Sequence, residues 1–305
     1  MERERRYRWE EVAARGLSAA LGRLPRRRVL ALGRGLGRVY ADLDARHVAI
    51  VADNLRRAFP HWNSQRVLRT ARDVYAHFGQ VLLELLWLQG RAREEVLASV
   101  RFEGLEHLEA LRAAGRAAVL VTAHTGNWEL HALVHSLVVE PVGVVARPLD
   151  NPALDRRLCA LRSAAGNEVI SKRKALARVL SLLRAGRTVA ILIDQNVQAR
   201  DGIFVDFFGR PAATTTVAAA LALKTGCALV PCHTELGPDG RYLVRYQAPL
   251  EWAPGGRRQE DIARLTQALT HVIEGWVRAR PEQWLWMHRR WKTQPAAVAG
   301  DEGRA

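Results

Sequence analysis

A histidine and a glutamate at the end of an apolar run are the first candidates for chemistry in this chain. His124 and Glu129 lie in HTGNWEL (124–130), directly behind AAVLVTA (117–123). The apolar run predicts a buried strand, and the following segment has helical spacing. If that helix begins near Gly126, the Glu129 carboxylate can fold back towards His124. A carboxylate on one imidazole nitrogen fixes the tautomer and leaves the other nitrogen as a general base.

The chemistry of this motif depends on what it lacks, since neither Ser nor Cys stands in it as a nucleophile. The base would then activate a hydroxyl of the substrate, and acyl transfer would proceed without a covalent enzyme intermediate. Two alternatives stay open: a purely structural histidine, and a metal site of His124, Glu129, His131 and His135. His131 and His135 are spaced for zinc on one helix face, but His135 falls among apolar positions. We therefore expect neither a metal nor another cofactor.

Asp194 is a second candidate, because it follows another apolar run, TVAILI (188–193). In open α/β sheets, ligands collect at the carboxyl ends of the strands. His124 and Asp194 would then face one cleft from two strand ends. The alternative is that Asp194 only caps the next segment.

Strand-like and helical segments alternate through most of the chain. Four apolar runs predict strands, and the turn PDGR before YLVRYQ predicts a hairpin. This alternation predicts an α/β fold with a largely parallel central sheet flanked by helices, behind a helical N-terminal region. The predicted strands are 117–123, 142–146, 188–193, 228–236 and 242–247, and the predicted helices are 128–139, 153–166, 174–186, 215–226 and 260–280.

We divide the chain into a helical membrane-associating region (1–90), an α/β domain (91–292) and a loose tail (293–305). Residues 12–45 read as basic amphipathic helices, which can lie in a membrane interface. The alternative is a helix packed on the domain with a solvated arginine face. On the membrane hypothesis, the interface receives the apolar side chains of Val29, Leu32 and Leu36, and the anionic headgroups attract Arg26, Arg27 and Arg28.

The formal net charge of +15 favours a polyanionic partner such as an anionic membrane, an acidic protein or nucleic acid. An Arg-rich genome could also produce this charge without any partner. Nucleic acid is disfavoured, because no helix-turn-helix, RNP or zinc-finger pattern accompanies the charge. Three cysteines without paired spacing exclude a zinc or redox centre built on them. The sequence contains no run of 18 apolar residues, so we expect no membrane-spanning helix.

Several motifs together resemble a known family. HTGNWE (124–129) has the H-x4-D/E signature of the glycerolipid and lysophospholipid acyltransferase superfamily. Its Gly-Asn-Trp filling is similar to the bacterial late acyltransferases of lipid A biosynthesis. The resemblance covers nearly the whole chain, and further stretches follow in the family's order: NLRRAFP, ARPLDNPALD, LRSAAGNEVI, LIDQN, GIFVDFFGRPAATT, ALVPCH and RPEQWLWMHRRWK.

This resemblance implies an enzyme attached to the cytoplasmic face of the inner membrane. Such enzymes move a fatty acyl chain from acyl-carrier protein, a small acidic protein, to a hydroxyl of a lipid A precursor. His124 matches the family's general base and Glu129 its partner. Substrate-binding roles are implied for Arg147, Arg162 and Asp194. Because arginines stud the N-terminal helices, we expect peripheral rather than spanning attachment.

Other functions remain as alternatives. Mannolipid acyltransferases that use acyl-CoA share the superfamily signature and have similar length. A lipid hydrolase would use water instead of the acceptor hydroxyl, and a binding-only protein would keep the fold without turnover. We interpret Trp284, Trp286 and Trp291 as packing residues rather than site residues.

Overall fold

The central sheet of the computed structural model, which describes residues 2–171 and 175–296, has seven strands. Their order is β1-β9-β8-β2-β5-β3-β4, and neighbours from β8 to β4 are parallel. A separate antiparallel pair, β6 and β7, lies outside it. The strands are β1 (Val100–Glu103), β2 (Ala118–Thr122), β3 (Gly143–Ala146), β4 (Glu168–Ser171), β5 (Val189–Leu192), β6 (Ile203–Phe207), β7 (Arg210–Thr214), β8 (Ala228–Leu236) and β9 (Tyr242–Tyr246).

Helices cover both faces of this sheet, as parallel strands require. Five helices precede the first strand, and the others follow or connect strands. They are α1 (Glu2–Leu21), α2 (Arg26–Leu43), α3 (Ala45–Ala58), α4 (Ser64–Trp87), α5 (Arg93–Leu97), α6 (Leu105–Ala113), α7 (Trp128–Val138), α8 (Pro152–Ser163), α9 (Ala175–Arg184), α10 (Val217–Thr225) and α11 (Arg258–Ala279).

The central strand β2 is buried along its whole length and separates two hydrophobic clusters. Because side chains alternate across a strand, Val119 and Val121 join one cluster while Ala118 and Leu120 join the other. The first cluster lies under α9, α10 and α11, and the second lies under α6 and α7. Burial on both faces explains why β2 reads as a continuous apolar run rather than an alternating one.

The structure confirms the predicted α/β fold with a largely parallel sheet and a helical N-terminal region. The predicted hairpin is present as the antiparallel pair β8–β9. Strands β1, β4, β6 and β7 were not predicted, since they are short and lack continuous apolar runs. The β6–β7 turn places both Phe208 and Gly209 at positive φ, which Phe rarely adopts.

Helix α2 packs against α4 by close backbone contact. Gly33 and Gly37 on α2 face Gly79 on α4, and a Cβ added at Gly37 would collide with the carbonyl of Tyr75. Bare glycines therefore let the two helix backbones approach more closely than side chains would allow. This contact fixes which face of α2 is turned away from the protein.

Two parts of the membrane prediction need correction. Val29 is completely buried, so it cannot enter a membrane interface, whereas Leu32 and Leu36 are exposed. Arg26 does not face headgroups, because its guanidinium forms a 2.6 Å ion pair with the buried Glu84. The exposed face of α2 differs from the predicted one because Gly33 and Gly37, rather than the largest side chains, pack against α4.

The N-terminal helices share a hydrophobic core with the sheet, as Leu55 of α3 and Val67 of α4 belong to the cluster that contains Val121. The division at residue 90 remains an interpretation, and most of the predicted tail lies outside the described residues. Within the described chain, no helix is long and apolar enough to cross a membrane.

Candidate active site

His124 and Asp194 lie side by side because their strands are parallel and in register. Thr122 of β2 pairs with Leu192 of β5, and each site residue stands two positions further along. Asp194 accepts two hydrogen bonds of 2.8 Å from His124, one from Nδ1 and one from the backbone N–H. The two strand ends therefore assemble an imidazole–carboxylate pair.

Asp194 is completely buried, and its carboxylate also accepts a 2.7 Å hydrogen bond from Nε1 of Trp284. Burial opposes ionisation, but His124 lowers the pKa of the carboxyl group far below its ordinary value. The hydrogen-bonding capacity of the carboxylate is therefore taken up by donors of the protein itself. The substrate-binding role expected for Asp194 is therefore not one of direct contact in this arrangement.

The imidazole of His124 is charged more readily than a free histidine. Burial alone would lower its pKa, but Asp194, with a smaller contribution from Glu129, raises it above 6.5. Since Nδ1 is occupied by Asp194, Nε2 is the nitrogen left for substrate. Nε2 lies 3.4 Å from the side-chain nitrogen of Gln195.

The expected contact from Glu129 to His124 is replaced by an ion pair with Arg162. The two oxygens of Glu129 accept hydrogen bonds from Nε and Nη2 of Arg162 at 2.7 and 2.5 Å. Arg162 lies in the last turn of α8, which packs against α7. The pair is partly buried. Burial alone would lower the pKa of Arg162, but Glu129 outweighs this effect and raises the pKa above its ordinary value. Asp194, rather than Glu129, is thus the hydrogen-bond partner of the imidazole.

The remaining residues of HTGNWE shape the start of α7. Gly126 has a φ of +57°, and a Cβ there would strike the backbone of Thr234. Asn127 caps the helix, since its Oδ1 accepts from the backbone of Leu130 at 3.0 Å. Its Nδ2 donates to Glu84 at 2.8 Å, which ties the motif to α4. The close backbone contact at Gly126 and the hydrogen bonds of Asn127 therefore help to position His124 and Glu129.

A cavity of about 630 Å³ opens beside His124, Glu129 and Arg162. Arg147, directly after β3, is exposed and also lines this cavity. The structure thus brings His124, Glu129, Arg147 and Arg162 to one cavity, with Asp194 behind His124. Trp284 and Gln195 were not predicted as site residues, although both fall inside motifs of the resemblance.

The alternative metal site finds no support in the geometry. His131 and His135 are buried deeper along α7, and His135 Nδ1 lies 2.8 Å from the hydroxyl of Tyr246. Burial lowers the pKa of His131 to about 4 and that of His135 to about 3. Within residues 2–171 and 175–296, no group of three or more His, Cys, Asp or Glu is placed to hold a metal ion.

The chain is similar to known acyltransferases over nearly its whole length. The family model described as bacterial lipid A biosynthesis acyltransferase matches residues 4–293. The lipid A biosynthesis lauroyltransferase of Escherichia coli is 31% identical over 90% of this chain and 89% of its own length. A lipid A biosynthesis acyltransferase of Haemophilus influenzae is 25% identical over 79% of this chain and 74% of its own. A phosphatidylinositol mannoside acyltransferase of Mycobacterium tuberculosis is 32% identical over 62% of this chain and 58% of its own. The chain therefore belongs to the bacterial lipid A biosynthesis acyltransferase family.

Proposed function

We propose that this protein transfers a fatty acyl chain from acyl-carrier protein to a hydroxyl of a lipid A precursor, with His124 as general base. The observation that carries the proposal is the His124–Asp194 pair beside the cavity. Asp194 holds Nδ1, so that Nε2 is available to a hydroxyl. The family membership supports acyl transfer as the reaction class.

The reaction follows from this geometry in one addition and one elimination. Nε2 of His124 takes the proton of the acceptor hydroxyl while the hydroxyl oxygen attacks the thioester carbonyl carbon. The tetrahedral intermediate then breaks its carbon–sulfur bond. The imidazolium returns the proton to the leaving sulfur, which gives an ester and a free thiol. Because the substrate oxygen is itself the nucleophile, no covalent enzyme intermediate forms.

Neighbouring charges suit the other steps. The negative Asp194 stabilises the imidazolium that forms during attack. Gln195, beside Nε2, offers an amide donor to the oxyanion. Arg147 is exposed at the cavity and suits a phosphate of the acceptor. The Glu129–Arg162 pair holds α7 against α8, and the Glu129 carboxylate contributes to raising the pKa of the imidazole.

The charge of the protein and the surface of α2 support the proposed donor and location. A net charge of +15 attracts an acidic carrier protein and an anionic lipid surface. The outer face of α2 exposes Leu32, Leu36, Val39, Tyr40 and Leu43. Exposed Arg27, Arg28 and Arg34 lie on the same helix. A helix of this kind suits peripheral attachment to the cytoplasmic face of the inner membrane.

A mannolipid acyltransferase that uses acyl-CoA is the second candidate. The observation that favours it is the 32% identity to the mycobacterial relative, although only 62% of this chain is covered. The lauroyltransferase of E. coli matches 90% at almost equal identity. The longer match therefore favours lipid A as the acceptor.

Mass spectrometry of the lipid product tests the proposal. Purified protein is incubated with a defined lipid A precursor or a phosphatidylinositol mannoside, each with acyl-carrier-protein or acyl-CoA donors. We expect one added acyl ester on the lipid A precursor, formed fastest from the carrier-protein donor. Acylation of the mannoside alone would establish the second candidate. Free fatty acid at equal rates with and without acceptor would identify a hydrolase, and no turnover at all would identify a binding-only protein.

A further inference from the structure

The cavity beside His124 extends onto both faces of the sheet. The "α7 lobe" lies between α7 and the face of the sheet that carries Leu120 and Val144. The "α10 lobe" lies on the opposite face, between the sheet and helices α9 and α10, where Ile191 and Ile193 point. Both lobes belong to one continuous cavity at the carboxyl ends of β2, β3 and β5, and His124 lines it.

The α10 lobe is built mostly from hydrocarbon. Most of its lining is aliphatic and comes from Val145, Ala175, Leu176, Val179, Ile191, Ile193, Val217 and Leu221. These side chains offer no hydrogen-bond partner, and the polar side chains of Gln195, Asn196 and Thr215 line the cavity beside them. The lobe suits a simple saturated chain, which gains by burying methylenes and needs no polar contact beyond its carbonyl.

The α7 lobe is chemically different, because polar atoms without partners line it. Thr122 Oγ1, His131 Nε2 and His135 Nε2 are all buried and receive no hydrogen bond from any described residue. The Glu129–Arg162 pair lines the same lobe. Buried polar groups of this kind are normally satisfied by a ligand or by water. This lobe therefore suits a chain that brings oxygen atoms with it.

The proposed reaction joins two hydrocarbon chains at a single ester, and the cavity offers two lobes that meet near a single base. On the basis of the proposed function, we infer that each lobe holds one chain. The α10 lobe takes the donated acyl chain. The α7 lobe takes the hydroxyacyl chain of the acceptor, whose hydroxyl and linkage carbonyl provide oxygen atoms to a polar wall.

A matched pair of substitutions tests this assignment. Val217 and Ala132 are both partly buried cavity residues on helices, one in each lobe. Val217→Phe fills the α10 lobe, and Ala132→Leu fills the α7 lobe. For each variant, kcat/KM is measured with donors of short and long chains, and then with acceptors of short and long hydroxyacyl chains. Wild-type protein must first acylate the acceptor, which separates failure of the proposed function from failure of this assignment.

We expect Val217→Phe to lower the long-to-short donor ratio by about tenfold, since one methylene in a pocket changes specificity by about 10–200-fold. Its acceptor ratio should stay within twofold of wild type. Ala132→Leu should show the reverse pattern. The assignment is overturned if both variants change the same substrate, if the effects are exchanged, or if either variant leaves both ratios unchanged.

A second measurement avoids any dependence on a folded variant. Wild-type protein is loaded with a carrier-protein thioester whose saturated acyl chain ends in a diazirine, illuminated, and digested for mass spectrometry. Crosslinks to residues 175–179 or 217–221 support the α10 lobe as the donor site. Crosslinks confined to residues 131–135 overturn it.

Discussion

Asp194 reaches Nδ1 of His124 at 2.8 Å, although the two residues lie 70 positions apart in the chain. The carboxylate also binds the backbone N–H of His124, so it fixes both the ring and the strand end. It is completely buried, whereas the imidazole remains partly exposed to the cavity. This arrangement gives the histidine a single free nitrogen and a permanent negative neighbour, which are the requirements of a general base.

Asp194→Asn should lower kcat by about 10²–10⁴-fold, because the amide cannot stabilise the imidazolium and can favour the wrong tautomer. The pH profile carries a second signature. Asp194 raises the pKa of His124, and a base loses activity as pH falls through its pKa. Wild-type kcat/KM should therefore fall below a midpoint above 6.5. In Asp194→Asn this midpoint should move to lower pH.

The exposed Asp201 provides the matched control, and Asp201→Asn should keep wild-type kcat and the wild-type pH midpoint. An unchanged midpoint in a folded Asp194→Asn protein would show that the carboxylate does not tune the base.

Glu129 and Arg162 should behave as one unit. Breaking a buried ion pair leaves one charge uncompensated and costs about 3–5 kcal/mol of stability. We expect Glu129→Gln and Arg162→Met each to lower the free energy of unfolding, and the double variant to lose much less than the sum. Glu129→Gln should also reduce kcat less than His124→Ala does. Denaturant unfolding of the four proteins measures the coupling, and additive losses would show that the two side chains act independently.

The contact between α2 and α4 gives a stability prediction with an internal control. Gly37→Ala forces a methyl group into the backbone of α4 and should destabilise the protein by about 1–3 kcal/mol. Gly35→Ala lies on the same helix in open space and should stabilise it by up to about 1 kcal/mol. Thermal unfolding compares the two. Equal effects of both substitutions would mean that α2 does not pack through its glycines.

Membrane attachment should be peripheral, salt-sensitive and dependent on the outer face of α2. Each arginine near an anionic surface contributes about 1 kcal/mol of attraction. Binding to anionic vesicles in flotation should weaken in Leu36→Ser and in the combined Arg27→Gln, Arg28→Gln and Arg34→Gln variant. Val138→Ser, which changes an exposed residue at the end of α7, is the control and should float as wild type does. Retention through high salt and alkaline carbonate would contradict peripheral attachment.

The sequence predicted the layered fold because buried parallel strands produce continuous apolar runs, as in β2 and β5. It could not predict the short strands β1 and β4 at the sheet edges, which carry mixed polar and apolar residues. The interpretation of Trp284, Trp286 and Trp291 as packing residues agrees with their burial. Yet Trp284 also donates to Asp194, a contact that no sequence spacing reveals.

Within the site, residue types were easier to predict than pairings. Glu129 is near His124 in sequence, but α8 delivers Arg162 to it, and β5 delivers Asp194 to the histidine. Both partners come from distant segments, so only the strand order decides which acid meets which base. The charged C-terminal segment shows the same limit. Arg290 is buried and donates to the backbone carbonyl of Ala213 at 2.8 Å, a contact that no sequence pattern indicates.

The most direct test of the account is the acylation rate of a lipid A precursor by wild-type protein and by His124→Ala. The matched control is His271→Ala, which changes an exposed histidine on α11. Loss of the base should lower kcat by about 10²–10⁴-fold while the thermal unfolding midpoint stays near that of wild type. The control should keep wild-type activity. A folded His124→Ala protein that forms the acylated lipid within twofold of the wild-type rate would contradict the account.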